Sequence, residues 1–205
     1  MKVAIIGAGN VGKALGASMT RAGHEVTMSA STPESAKAAA KEIGAGSADS
    51  AASAVTDANV IILAIPYTAG ESVAAEIAGQ TAGRTVIDVS NPIKPDFSGL
   101  ATDTSAAEEL QRHLPDAHVV KAFNTVFASN QAGPAASGAP IDGYVAGDDG
   151  DAKRQVMSLV ESIGMRPLDV GPLSSARYLE GMAYVNIGLN AQNGWSWTSA
   201  WHLER

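Results

Sequence analysis

Gly7, Gly9 and Gly12 stand in the run AIIGAGNVGKALG, Ala4 to Gly16, with the spacing GxGxxG. That spacing suits a chain that turns sharply, admits a charged group against its backbone, and then packs a helix close to the preceding strand. Gly7 permits the turn, Gly9 the approach of a pyrophosphate, and Gly12 the close helix packing. Asn10 and Val11 lie at the start of that helix, where free N–H groups and the positive dipole end favour phosphates. The spacing alone is a weak signal, because small residues are common at tight turns. Its context strengthens it: the apolar run Lys2 to Ile6 feeds the glycines, and a helical pattern follows at once.

The next segment bears on which dinucleotide fits. A carboxylate about twenty residues past the motif usually holds the ribose 2′-hydroxyl of NAD. Here the segment reads Met28-Ser29-Ala30-Ser31-Thr32, with no acid. Ser29, Ser31 and Thr32, with Lys37 one turn further, offer donors to a 2′-phosphate, so NADP is expected over NAD. The plainer alternative is that Thr32 only caps a helix. Ile65, Pro66 and Tyr67 in AIPYT, Asn91 and Pro92 in VSNPI, and Ala122, Phe123 and Asn124 in VVKAFNT follow three further strand-like runs. An open parallel sheet receives its ligands at these carboxyl ends. Asn91 and Asn124 have the groups to orient a carboxamide. Phe123 has a flat face for a ring, or for the core.

The elements that must position these residues alternate. Strands are expected at Lys2 to Ile6, Glu25 to Ser29, Val60 to Ile65, Thr85 to Val89, His118 to Ala122, Tyr144 to Gly147 and Arg166 to Val170. Helices are expected at Asn10 to Ala22, Pro33 to Ile43, Ala69 to Ala78, Ser105 to His113, Asp151 to Ile163 and Ser174 to about Gln192. The order predicts an α/β fold of Rossmann type, a doubly wound, mostly parallel sheet with an appended C-terminal helical segment. Residues 1–171 form the nucleotide-binding domain and 172–205 the helical segment of the same unit. Pro134 to Pro140 reads as a surface loop.

Composition narrows the function. The chain has 205 residues, a net charge of -7 and no cysteine. One domain is expected, without disulfides, thiolate nucleophiles or cysteine-bound zinc, and no metal is expected. The acidic balance argues against nucleic-acid and anionic-membrane partners, and no apolar run is long enough to cross a bilayer. Met1-Lys2 leads straight into a strand-like run, which points to the cytoplasm. Trp195, Trp197 and Trp201 crowd the tail and must pack on their own chain or on another.

Together, IGAGNVG, LAIPY, DVSNP, VKAFNT and RPLDVGPLSSAR resemble the coenzyme F420-dependent NADP oxidoreductase family. The same architecture occurs in the oxidoreductase domain of the six-transmembrane metalloreductases. The resemblance runs from Lys2 to about Asn190. It implies NADP at the glycine loop, a deazaflavin, F420, in a cleft over the nicotinamide, and a homodimer with C-terminal helices at the interface. Family members often carry an arginine just after the second strand, where this chain has Ser31 and Thr32.

Hydride transfer between two aromatic rings needs them held at contact distance and shielded from water, with no acid-base pair at the reacting carbons. The four histidines are poorly placed for catalysis: His24 and His118 precede strands, His113 is late in a helix and His202 is in the tail. A carbonyl or imine reductase needs a proton donor, and only Tyr67 and Lys121 qualify. Their ordinary readings are a ring-packing tyrosine and a solvated lysine. The chain also lacks the large helical domain of the 3-hydroxyacid and imine reductases. A flavin-like redox partner, F420, FMN or FAD, is expected. A small carbonyl or imine substrate, and an NADP-binding sensor without turnover, are the alternatives.

Overall fold

The structure, a computed structural model, describes residues 1–133 and 140–204. The expected loop from Pro134 therefore lies outside the described residues, apart from Pro140. The strands are β1 Lys2–Ile6, β2 Glu25–Ser29, β3 Gly46–Ser47, β4 Val60–Leu63, β5 Thr85–Asp88, β6 His118–Lys121, β7 Asp142–Gly147 and β8 Arg166–Asp169. They form one sheet in the order β3-β2-β1-β4-β5-β6-β7-β8. Every pairing is parallel except β6 with β7, where Lys121 faces Ala146, so β7 and β8 run against the other strands. The helices are α1 Asn10–Arg21, α2 Pro33–Ile43, α3 Ala51–Val55, α4 Gly70–Ile77, α5 Ala106–His113, α6 Ala128–Ala132, α7 Gly150–Ser162 and α8 Ala176–Asn193. This is the expected Rossmann-type architecture.

Alternation along the central strands makes two cores. Val3 and Ile5 of β1 join Val60 and Ile62 of β4 against Leu15 and Met19 of α1 on one face. Ala4, Ile6, Ile61 and Leu63 meet Val55, Ile77 and Leu110, from α3, α4 and α5, on the other. Side chains on a strand point to opposite faces at every step, so continuous apolar runs are what a sheet covered on both sides requires.

Helix ends follow local chemistry. Thr32 Oγ1 accepts from the Ser35 N–H at 3.2 Å, Pro33 opens α2, and Gly44 closes it at φ 72°. Strands stop earlier than expected. β4 ends at Leu63 instead of Ile65, because Pro66 has no N–H with which to extend a ladder. β5 stops at Asp88, β6 at Lys121 and β8 at Asp169, one residue short in each case, while β7 begins earlier, at Asp142. The short elements β3, α3 and α6 were not expected. α3 is an alanine-rich turn capped by Ser50 Oγ, which accepts from the Ser53 N–H at 3.0 Å.

The C-terminal helix α8 buries Leu179, Glu180 and Ala183 against the rest of the chain. The tail then folds back on its own chain. Ser129 Oγ donates to the Trp197 carbonyl at 2.6 Å, and Asn130 Nδ2 to that of Thr198 at 2.8 Å. Phe127 and Trp197 meet edge to face at 5.5 Å. Trp195 and Trp197 still stand 48% and 44% exposed. Among the described residues no helix is long and apolar enough to cross a membrane.

Candidate functional site

The glycine loop joins β1 to α1. Gly7 has φ 117°, which favours glycine, and its N–H donates to the Ser29 carbonyl at 2.8 Å, tying the loop to the end of β2. A Cβ on Gly7 would collide with the Ala64 carbonyl oxygen, and one on Gly12 with that of Gly7. Gly9 is different. A Cβ there would meet nothing within 4 Å, and its backbone, at φ -75° and ψ -174°, suits any residue. The protein itself thus requires Gly7 and Gly12 and does not require Gly9. As N-cap of α1, Gly9 also supplies no side chain to the first-turn N–H groups around Asn10 and Val11.

Gly9 borders a cavity of about 680 Å³, within the range of small-molecule sites. Ser29, Ser31, Ile65 and Pro66 line it as well. Ser29 is buried, and its Oγ has no partner among the described residues. Thr32 is not in this lining: its hydroxyl caps α2 and donates to Ser35 Oγ at 2.9 Å. Two acids missed in the sequence, Asp49 and Glu76, do line the cavity. Asp49 follows β3, and without that two-residue strand nothing local places it at the sheet's ligand edge.

A second cavity, of about 160 Å³, gathers Val11, Asn91, Phe123 and Asn124 with Asn186 of α8. The two asparagines clasp each other. Asn91 Nδ2 donates to the Asn124 carbonyl at 3.1 Å, and Asn124 Nδ2 to Asn91 Oδ1 at 2.9 Å. Asn124 Oδ1 is left buried, with no partner among the described residues. Phe123 is buried in the core beside this cavity with φ 65°, a conformation that costs a non-glycine residue about 1–3 kcal/mol. Its carbonyl is held by Gln131 Nε2 at 3.0 Å. Ala122 and Pro92 are buried behind these residues and line neither cavity.

A third cavity, of about 260 Å³, lies beyond Pro66, with Tyr67, Asp88, Ser90, Glu109 and His113 on its walls. Tyr67 Oη donates to Glu109 Oε2 at 2.6 Å, and Thr102 donates to the other carboxylate oxygen. That bond to Glu109, with burial and the nearby carboxylate charges, pushes the Tyr67 phenol up to about 12. Burial would raise Glu109, but the bonds from Thr102 and Tyr67 hold it below the usual carboxylate value. Tyr67 is therefore a committed donor, more than a packing ring.

Lys121 corrects the solvated-lysine reading. It is fully buried, with Nζ 2.8 Å from Asp88 Oδ2, 2.7 Å from Glu180 Oε1 and 2.6 Å from the Ser90 carbonyl. Asp88 Oδ1 accepts from the Ser90 N–H at 2.9 Å, and Glu180 Oε1 from the Ala106 N–H at 2.9 Å. Burial raises the Glu180 carboxyl against the opposing pull of Lys121. The cluster thus ties β5, β6, α5 and α8 together behind Asn91. Its partners lie 33 and 59 residues from Lys121, too far for any local pattern to reveal. His24 sits between the N-terminal amine and Ser162, at the amino ends of the strands.

Comparison with known proteins places the chain in a family. Residues 2–92 match the family model described as NADP oxidoreductase, coenzyme F420-dependent. The chain is 31% identical to the F420-dependent NADP reductase of Methanothermobacter marburgensis, across 94% of each chain. It is 32% identical to the metalloreductase STEAP3 of Rattus norvegicus across 87% of its own length, but spans only 36% of that protein. The crystal structure of an Arthrobacter sp. FB24 protein, proposed to be an F420-dependent NADP reductase, superposes over the full length of both chains with a TM-score of 0.89 at 26% identity. The chain belongs to the F420-dependent NADP oxidoreductase family.

Proposed function

We propose that this NADPH-dependent oxidoreductase exchanges a hydride directly, ring to ring, between NADP(H) and the deazaflavin F420. The observation that carries the reading is Gly9: nothing inside the protein requires glycine there, and it borders the large cavity. Gly7, Gly9, Asn10, Val11 and Gly12 hold the pyrophosphate. Ser29 and Ser31 line the large cavity on the side assigned to the adenosine ribose. Ile65, Pro66 and Tyr67 flank the path to the nicotinamide. Asn91 and Asn124, which both line the second cavity, receive the carboxamide. Phe123 backs the ring from the core.

NADPH supplies the hydride, and the chain supplies orientation and exclusion of water. Reduction of a small carbonyl or imine needs a free acid beside the new C–H bond. Tyr67 is spent on Glu109 and Lys121 on two carboxylates, which weighs against that chemistry. The exposed apolar face of α8, Tyr178, Val185 and Leu189, is the proposed homodimer contact. Purified protein given NADPH with F420, FMN or FAD in turn should oxidise NADPH fastest with F420. Binding of NADPH with oxidation in none of the three would overturn this reading in favour of a sensor or a reductase of a small carbonyl or imine.

A further inference from the structure

Asp49 follows β3 and lines the nucleotide cavity, as do Ser31 and Ser35. Its carboxylate lies 3.1 Å from Lys37 Nζ of α2, and the two side chains are 71% and 61% exposed. The lining holds two carboxylates, Asp49 and Glu76, and neither lysine nor arginine. Glu76 is engaged elsewhere, accepting from the Ala52 N–H at 3.1 Å. Asp49 is left with the exposed Lys37 ammonium as its side-chain partner among the described residues.

A carboxylate at this end of a Rossmann site serves the ribose 2′-hydroxyl, whereas a 2′-phosphate brings a charge of about -1.5 to -2 and calls for cations. Here the acid is absent from the end of β2, Ser29 to Thr32, and arrives from the neighbouring strand instead. Resting on the nucleotide reading above, we infer that Asp49 and Lys37 together set selectivity at the ribose 2′-position. Asp49 accepts from the 2′-hydroxyl of NADH and repels the 2′-phosphate of NADPH. Lys37 offsets that repulsion. The protein therefore accepts NADH alongside NADPH, and the balance of this one pair decides the ratio.

The test is a titration of the full chain with NADPH and with NADH, separately, at low ionic strength, because exposed charges are screened by salt. Asp49→Asn and Lys37→Gln alter exposed side chains that cap no helix, so both variants should fold as the parent does. Asp49→Asn should move the Kd ratio toward NADPH by about fivefold or more, the order expected of one exposed charge facing a doubly charged group. Lys37→Gln should move it toward NADH. A ratio unmoved in both variants, or exclusive binding of NADPH by the parent and by Asp49→Asn alike, would overturn this inference and leave the proposed function standing. Binding of neither nucleotide by the parent would overturn the proposed function and this inference with it.

Discussion

Substituting the loop glycines one at a time should separate folding from binding. Gly7→Ala places a methyl group into the Ala64 carbonyl oxygen at φ 117°, and Gly12→Ala one into the Gly7 carbonyl oxygen. Neither obstacle is the end of a flexible side chain, so β1, α1 or β4 must shift. The left-handed backbone alone costs about 1–3 kcal/mol. With the clash added, Gly7→Ala should lose about 3 kcal/mol or more, which lowers Tm by about 6–12 °C in a chain of this size. Gly9→Val meets no neighbour, and its backbone is extended. It should lose about 1 kcal/mol, the difference between glycine and valine at an N-cap. Its isopropyl group would fill the approach to the first-turn N–H groups, and NADPH should bind at least about 100-fold more weakly, about 2.7 kcal/mol. Thermal unfolding and NADPH fluorescence titration read the two effects independently. A folded Gly9→Val with the parent's NADPH affinity would refute the reasoning.

Three further outcomes follow from the geometry. Tyr67→Phe should leave the hydride-transfer rate within about twofold, because the phenol is held protonated by Glu109; a loss of about 100-fold would restore Tyr67 as an acid. Lys121→Met strands Asp88 and Glu180 without their cation and should cost about 3–5 kcal/mol in urea unfolding, and a loss below about 1 kcal/mol would show the cluster to be inert. Asp142 is buried, and although burial would raise it, Arg166 at 2.6 Å and the Leu203 N–H at 2.6 Å hold its carboxyl below the ordinary 3.8. Its folded-state value is depressed, so its contribution is complete above pH 3.8 and is lost as pH falls through the lower folded value. Tryptophan fluorescence should report the tail loosening in that acid window, and Asp142→Asn should loosen it already at neutral pH.

What was legible in the sequence is what local chemistry decides. The glycine spacing after β1, the Thr32-Pro33 entry to α2 and the Gly44 exit each state their structure within a few residues. That Pro66, Asn91 and Asn124 lie at carboxyl ends of strands follows from strand order, although Pro66 lines different cavities from the two asparagines. What stayed hidden depends on distant partners. Lys121 reads as solvated until Asp88 and Glu180 surround it, and Asp49 reads as a loop acid until β3 pairs with β2. The reversal of β7 and β8 leaves no mark on their own residues, because a strand's apolar alternation is the same in either direction. The tail shows the same limit: three tryptophans announce a packing surface, while the bonds from Ser129 and Asn130 that tie its backbone to this chain come from residues 68 positions earlier.

Direct transfer is tested most plainly by isotope. NADPH carrying deuterium at its transferable ring position is mixed with the protein and F420 in ordinary water, and the reduced coenzyme is analysed by mass spectrometry. Direct ring-to-ring transfer across the Asn91 and Asn124 cavity predicts one deuterium in each reduced coenzyme and a slower single turnover than with unlabelled NADPH. Deuterium appearing in the water, with unlabelled reduced coenzyme, would contradict it.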